Sequence, residues 1–140
     1  MMKIIALDYG HAHTGAAICD PTGTIVRPLD AINDASGTTG LKKIVDLAHN
    51  ENAAAVLVGM PVSLSGEYGS QAGQTRDFIG LLEEALQLPV ISWDERFTSK
   101  MAMSKGHNTT SSRHSRAACV LLEDYLGSRA YRRLNGGNSD

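Results

Sequence analysis

Hydrophobic and polar positions follow two rhythms along this chain. Ile4-Ile5-Ala6-Leu7 is a continuous apolar run of strand length, and it ends in the polar, glycine-containing DYGHAHTG. Ala16 to Cys19 and Thr24 to Arg27 read as two further short strands. The DPTG between them, with Pro21 and Gly23, predicts a tight turn and so a hairpin. Asn33 to Gly40, rich in Ser, Thr, Asp and Gly, is expected to be a loop. The rhythm then becomes helical: in LKKIVDLAHNEN, Leu41, Ile44, Val45 and Ala48 share one face. AAAVLVGMP is apolar throughout until Gly59 and Pro61 stop it, the pattern of a parallel strand buried on both sides. VSLSGEYGS predicts a loop, with Ser70 as the cap of the helix after it. QAGQTRDFIGLLEEALQL returns to helical period through Ala72, Phe78, Leu81, Leu82 and Leu86, with Gly73 and Gly80 lowering its propensity. Pro89 opens the strand VISW, which runs into Asp94-Glu95-Arg96. A helix is expected from near Thr98, interrupted by GHNTTSS. RAACVLLEDYLGSRAYRRL is the last helix, ahead of the tail NGGNSD.

Three strands, then helix, strand, helix, strand and two helices imply an α/β fold. Its sheet would be mixed and five-stranded, an antiparallel three-stranded meander plus two parallel strands, flanked by helices. The 140 residues suffice for one core. Residues 1–134 are expected to form a single domain and 135–140 a flexible C-terminal tail. A net charge of −2 gives no global pull toward polyanions, so a nucleic acid would need a local basic patch. Cys19 and Cys119 lie in apolar context without a CxxC partner and read as small buried side chains. The first apolar run is too short for a signal peptide, and no run approaches the ~20 residues that span a bilayer. A cytoplasmic protein with no membrane partner is expected.

Candidate chemistry lies where apolar strands end. Sites in sheets with parallel strands gather at the strands' carboxyl ends, which would put Asp8 and the Asp94/Glu95 pair on one crevice. Converging carboxylates hold hard divalent cations, Mg²⁺ or Mn²⁺, which activate water and stabilise charge on a phosphoryl oxygen. The spacing alone leaves a second reading open, in which Asp8 begins a turn and Arg96 pairs within a strand-end charge cluster. His11 and His13 are read as loop residues or phosphate donors rather than metal ligands. Glu67 is read as a solvated loop acid and Trp93 as core or crevice wall. Arg76, Arg96, Lys100, Lys105, Arg113 and Arg116 flank the acids and offer phosphate-backbone contacts.

LDYGHAHTGAAICDPTG, VLVGMPVSLSGEYGSQAGQTRDF, LPVISWDERFTS and RAACVLLEDYL occur in order and with fitting gaps, from Lys3 to about Leu126. Together they resemble the YqgF/RuvX family, the Holliday-junction-resolvase-like or pre-16S rRNA nuclease family. VGMPVSLSGEYG placed before DERFTS is the specific part; an aspartate two residues before a glycine is weak by itself. The resemblance implies an RNase H-like fold and metal-dependent phosphodiester hydrolysis. The acids would come from the first strand, the DER segment and the start of the last helix. Asp8 and Glu95 match the first two acidic positions. The third, three residues before the family's AA, is His114 here; imidazole suits Mn²⁺ better than Mg²⁺ and is also a general base. The alternative is a solvent-facing His114 behind an N-cap at Ser111 or Ser112. The family's basic pair after the glycine is replaced by Ala12 and His13.

The expected catalytic and metal residues are thus Asp8, Glu95 and His114, with Mn²⁺ or Mg²⁺ as cofactor. Arg76, Arg96, Lys100, Arg113 and Arg116 would contact nucleic acid. The resemblance points to 5′-end processing of pre-16S rRNA, in ribosome biogenesis. Two alternatives remain: a DNA endonuclease on branched junctions, which would need a dimer, and a non-catalytic nucleic-acid-binding module of the same fold. The partner would be RNA or branched DNA, and the state monomer or homodimer.

Overall fold

In the computed structural model, residues 3–10, 12–61, 70–94, 110–128 and 131–132 are described, without the side chains of 70–71 and 110–114. The described elements are β1 (Ile4–Asp8), β2 (His13–Cys19), β3 (Val26–Asn33), α1 (Thr38–Asn50), β4 (Ala55–Met60), α2 (Ser70–Ala85), β5 (Val90–Asp94) and α3 (Thr110–Leu126). The five strands form one sheet in the order β3-β2-β1-β4-β5. β1 to β3 are antiparallel neighbours; β4 runs parallel to β1, and β5 parallel to β4. This is the mixed α/β sheet that the order of patterns predicted.

The connections β3-α1-β4 and β4-α2-β5 both step across the sheet in one direction. With the usual right-handed crossover, both helices land on one face. Ile5, Leu7, Ala16, Ile18, Val56 and Val58 meet Ile44, Ala48, Phe78 and Leu82 there. Residues of opposite parity, Ile4, Ala6, Ala17, Cys19, Ala55 and Leu57, meet Ala118, Leu121, Leu122 and Tyr125 of α3 on the other face. β1 as far as Leu7 and β4 from Ala55 to Val58 are apolar at every position because both their faces are covered there.

Several boundaries differ from the expectation. β2 begins at His13 rather than Ala16, because His13 and Thr14 pair with Asn33 and Ile32. β3 is Val26–Asn33 rather than Thr24–Arg27; it is an edge strand with several exposed residues, so it lacks an apolar signature and tolerates Pro28. The segment expected as loop up to Gly40 contributes Asn33 to β3 and the first turn of α1 from Thr38. The last helix stops at Leu126 instead of running on through RAYRRL. Gly127 ends it, and Ser128 caps a separate turn, its hydroxyl accepting from the Tyr131 N–H at 3.2 Å. Because α3 starts at Thr110, Ser111 and Ser112 lie inside it and are not its N-cap. The helix expected near Thr98 lies outside the described residues.

Candidate metal and nucleic-acid site

Asp8 is the last residue of the central strand, and it is half-buried. Strand alternation puts it on the face of Ile4 and Ala6, the face that α3 covers. On one side its strand partner is Gly15 of β2. On the other, Leu7 pairs with Val58, so the next step along β4 is Gly59. The carboxylate therefore stands in a row whose neighbours carry no side chains. The turn after it is tightly built: the Gly10 N–H donates to Thr14 Oγ1 at 3.3 Å, and a Cβ on Gly10 would lie 2.3 Å from the His13 carbonyl oxygen. Gly10 is required by that close approach.

At Gly15 the β2–β3 register slips, so that β3 advances three residues against two of β2. This is a β-bulge, a local irregularity that bends and re-aims a strand. Ser115 of α3 reaches into it. Its hydroxyl accepts from the Ala16 N–H at 3.3 Å and donates to the Leu29 carbonyl at 2.5 Å. Fully buried, Ser115 thus has both its hydrogen-bonding roles filled. The backbone of position 114 directly precedes this anchor, so the helix start is tied beside the strand partner of Asp8. Sequence reasoning missed Ser115; the one available signal was a polar residue on the buried stripe of an otherwise apolar helix face.

Asp94 goes elsewhere. Trp93 and Ile91 pack with the α3 face and Val90 with the other, so alternation places Asp94 on the α1/α2 side, beside Met60. The expectation that both members of the Asp94/Glu95 pair share a crevice with Asp8 is corrected for Asp94. Glu95, Arg96 and Lys100 lie outside the described residues, as do the side chains of His114 and Arg113. Arg76 is exposed on α2, which covers the sheet face opposite Asp8. Arg116 is half-buried on α3, next to Ser115. His13, exposed at the rim of the Asp8 face, has Nδ1 2.7 Å from Asn33 Oδ1. Trp93 stands edge-on to Tyr125 with ring centroids 5.2 Å apart, a wall of the α3 core rather than an open platform.

The donor chemistry near Asp8 is compatible with a hard divalent cation. Asp8 offers hard carboxylate oxygens at a strand's carboxyl end. Thiolate ligation is disfavoured: burial pushes the Cys19 thiol up, and burial with the nearby Glu123 carboxylate pushes Cys119 to about 11. Among the described residues no three Asp, Glu, His or Cys side chains converge, so a full ligand set would have to draw on residues beyond them. A hollow of about 440 Å³ between the ends of α1 and α2, lined by Ala48, His49, Asn52, Leu86 and Leu88, lies on the other face and at the opposite edge. It is not continuous with Asp8.

A mixed sheet with strand order 3-2-1-4-5, a carboxylate ending the central strand and a helix laid over it define an RNase H-like fold of the resolvase type. Thermus thermophilus RuvC superposes with a TM-score of 0.63 at 14% identity, over 96% of this chain and 97% of that one. RuvC from the same organism in complex with a Holliday junction gives 0.62 at 12%, over 97% of each chain. The fowlpox virus Holliday junction resolvase gives 0.53 at 16%, over 89% and 98%. At such identities the likeness is one of fold. The RuvX family model, described as Holliday junction resolvase, matches residues 2–128. The chain belongs to the RuvX family and is an enzyme of the nuclease class. It is 31% identical to a Roseiflexus protein over 91% of this chain and 95% of that protein, and 34% identical to one from Rhodopirellula baltica over 93% and 79%. Both relatives are named as candidate pre-16S rRNA nucleases. No described helix is long and apolar enough to cross a membrane.

Proposed function

We propose that this protein is a metal-dependent nuclease that processes the 5′ end of pre-16S rRNA in the cytoplasm, with residues 1–134 as its single domain. The observation that carries this is Asp8: a half-buried carboxylate at the end of the central strand, between side-chain-free neighbours, in a chain whose relatives bear that name. Asp8, Glu95 and His114 hold the metal, which when bound supplies Lewis acidity at a phosphoryl oxygen and lowers the pKa of water. Asp94 belongs to the opposite face, which leaves Glu95, the residue that matches the family's second acidic position, as the second acid. The anchoring of Ser115 supports position 114 as the third, where the imidazole favours Mn²⁺ over Mg²⁺. Arg96, Lys100, Arg113 and Arg116 hold the phosphate backbone, and Arg76, exposed on α2, adds a further contact. The family model's description favours a second reading, cleavage of branched DNA by a homodimer, whereas a monomer suffices for the first.

The deciding experiment incubates a 5′-extended 16S precursor fragment and a four-way DNA junction with Mn²⁺, Mg²⁺ or EDTA. Wild type, Asp8→Asn and His114→Ala are compared. Metal-dependent cutting of the RNA, lost in both variants, is the expected result. Preferential cutting of the junction would move the assignment to the second reading. Binding of either substrate without cutting in any metal would leave a non-catalytic module and overturn both.

A further inference from the structure

The register slip at Gly15 and the hydroxyl that fills it lie where the sheet and α3 meet beside Asp8. We infer that Ser115 is a positioning residue of the Asp8 site, one that sets the place of the α3 start by bridging the bulge. This rests on the reading that Asp8 and position 114 serve one site. A serine on the buried stripe of a helix is costly unless both its donor and its acceptor roles are met. Here both are met by backbone groups of different strands: the N–H of Ala16 in β2 and the carbonyl of Leu29 in β3. Ala16 adjoins Gly15, and Gly15 is the strand partner of Asp8. From Asp8 to position 114 the path is one strand pairing, one residue step, one hydrogen bond and one further residue step. The remainder of the α3 contact, Ala118, Leu121, Leu122 and Tyr125, is apolar and leads away from Asp8 toward Tyr131. Apolar packing is non-directional and leaves a helix free to shift along its axis by fractions of an ångström, whereas two hydrogen bonds to neighbouring strands fix it. A metal site needs its ligands held about that closely.

Ser115→Ala removes both bonds at nearly constant volume. Ser128→Ala is the matched control: it removes the bonds to the Tyr125 carbonyl (2.6 Å) and from the Tyr131 N–H (3.2 Å) just beyond the other end of α3. Mn²⁺ affinity of the full chain is measured by titration calorimetry, and amide hydrogen exchange is followed along α3 without metal. In Ser115→Ala, Mn²⁺ affinity should fall about tenfold, in the range found for residues that orient metal ligands. Exchange protection should drop at 114–118 and hold at 121–125, and Ser115→Thr should restore part of both. Ser128→Ala should lower the melting temperature comparably and leave Mn²⁺ affinity unchanged. The inference is overturned if Ser115→Ala keeps wild-type Mn²⁺ affinity, or loses protection uniformly along α3. Should wild type bind no Mn²⁺, the proposed metal site fails by itself, and local rather than uniform loss of protection still decides whether Ser115 places the helix start.

Discussion

The two faces of the sheet are built from the same strands and differ at one row. On the α1/α2 face the apolar surface continues past the end of β1: Tyr9 stacks on Phe78 with ring centroids 4.4 Å apart, and its hydroxyl reaches Ser36 Oγ at 3.2 Å. On the α3 face the apolar surface stops at Ala6. The next residue on that face is Asp8, between Gly15 and the position held by Gly59, and the helix above is pinned by a serine instead of an aliphatic side chain. Among the described residues, one face is closed to its edge and the other is left open there. Stability and chemistry are therefore expected to separate by face.

The largest effect tests the open face. Asp8→Asn keeps the shape and removes the charge that would hold a cation, which is worth several kcal/mol of transition-state stabilisation. Cleavage should fall by about a thousandfold while the denaturation midpoint moves little. A variant that unfolds more easily but cleaves normally per folded molecule would make Asp8 a structural residue and erase the contrast. On the closed face, Phe78→Ala should do the reverse. Phe78 is 1% exposed and packs on Tyr9, so its truncation should cost about 3–5 kcal/mol in urea denaturation. Metal affinity of the remaining folded fraction should stay at the wild-type value.

How far this contrast was legible in the sequence depends on what each residue answers to. The apolar runs of β1 and β4 and the helical stripes of α1 and α2 showed themselves because burial dictates their period. Asp8 stands out as a charge ending an apolar run, but a turn aspartate looks the same locally, and only the motifs elsewhere in the chain tell the two apart. β3 was shortened because an edge strand answers to hydrogen bonding and not to burial; its exposed Arg27, Pro28 and Asp30 carry no alternation. Asp94 departs from its expected crevice for another reason: strand alternation, and not adjacency to a second acid, decides which face a strand residue takes. Ser115 was passed over because its partners are backbone groups of strands far away in the chain, and no local pattern encodes them.

Gly10→Ala lies at the junction of the two faces and should show both signatures at smaller size. The added Cβ would sit 2.3 Å from the His13 carbonyl, so the β1–β2 connection must move, at a cost of about 1–3 kcal/mol. That movement reaches Asp8 and the Thr14 hydroxyl together, so cleavage should fall as well, by roughly tenfold. Loss of stability with full activity would show that the turn can yield without disturbing the open face.

The smallest effect concerns a second aspartate, at the opposite edge of the sheet. Asp20, in the β2–β3 turn, accepts from the Thr22 hydroxyl at 2.5 Å and from the Ile25 and Thr24 amides at 2.9 and 2.8 Å. The Thr22 hydroxyl first, and then the Ile25 amide, hold its carboxyl down at about 2. Because the folded value lies below the ordinary carboxylate value of about 4, the stabilisation is fully present above that value. It disappears as pH falls through about 2. Asp20→Ala should therefore melt slightly below wild type from pH 5 upward, and the difference should shrink between about 4 and 2. Asp20 lies at the surface and is only partly covered, so the shift should be small and should diminish with added salt. Cleavage should be unaffected throughout the range in which both proteins are folded, since this carboxylate is fully engaged by its own turn and stands at the edge away from Asp8. A loss of activity in Asp20→Ala at constant stability would mean that the two edges communicate through β2, and that the open row at Asp8 is not set by its immediate neighbours alone.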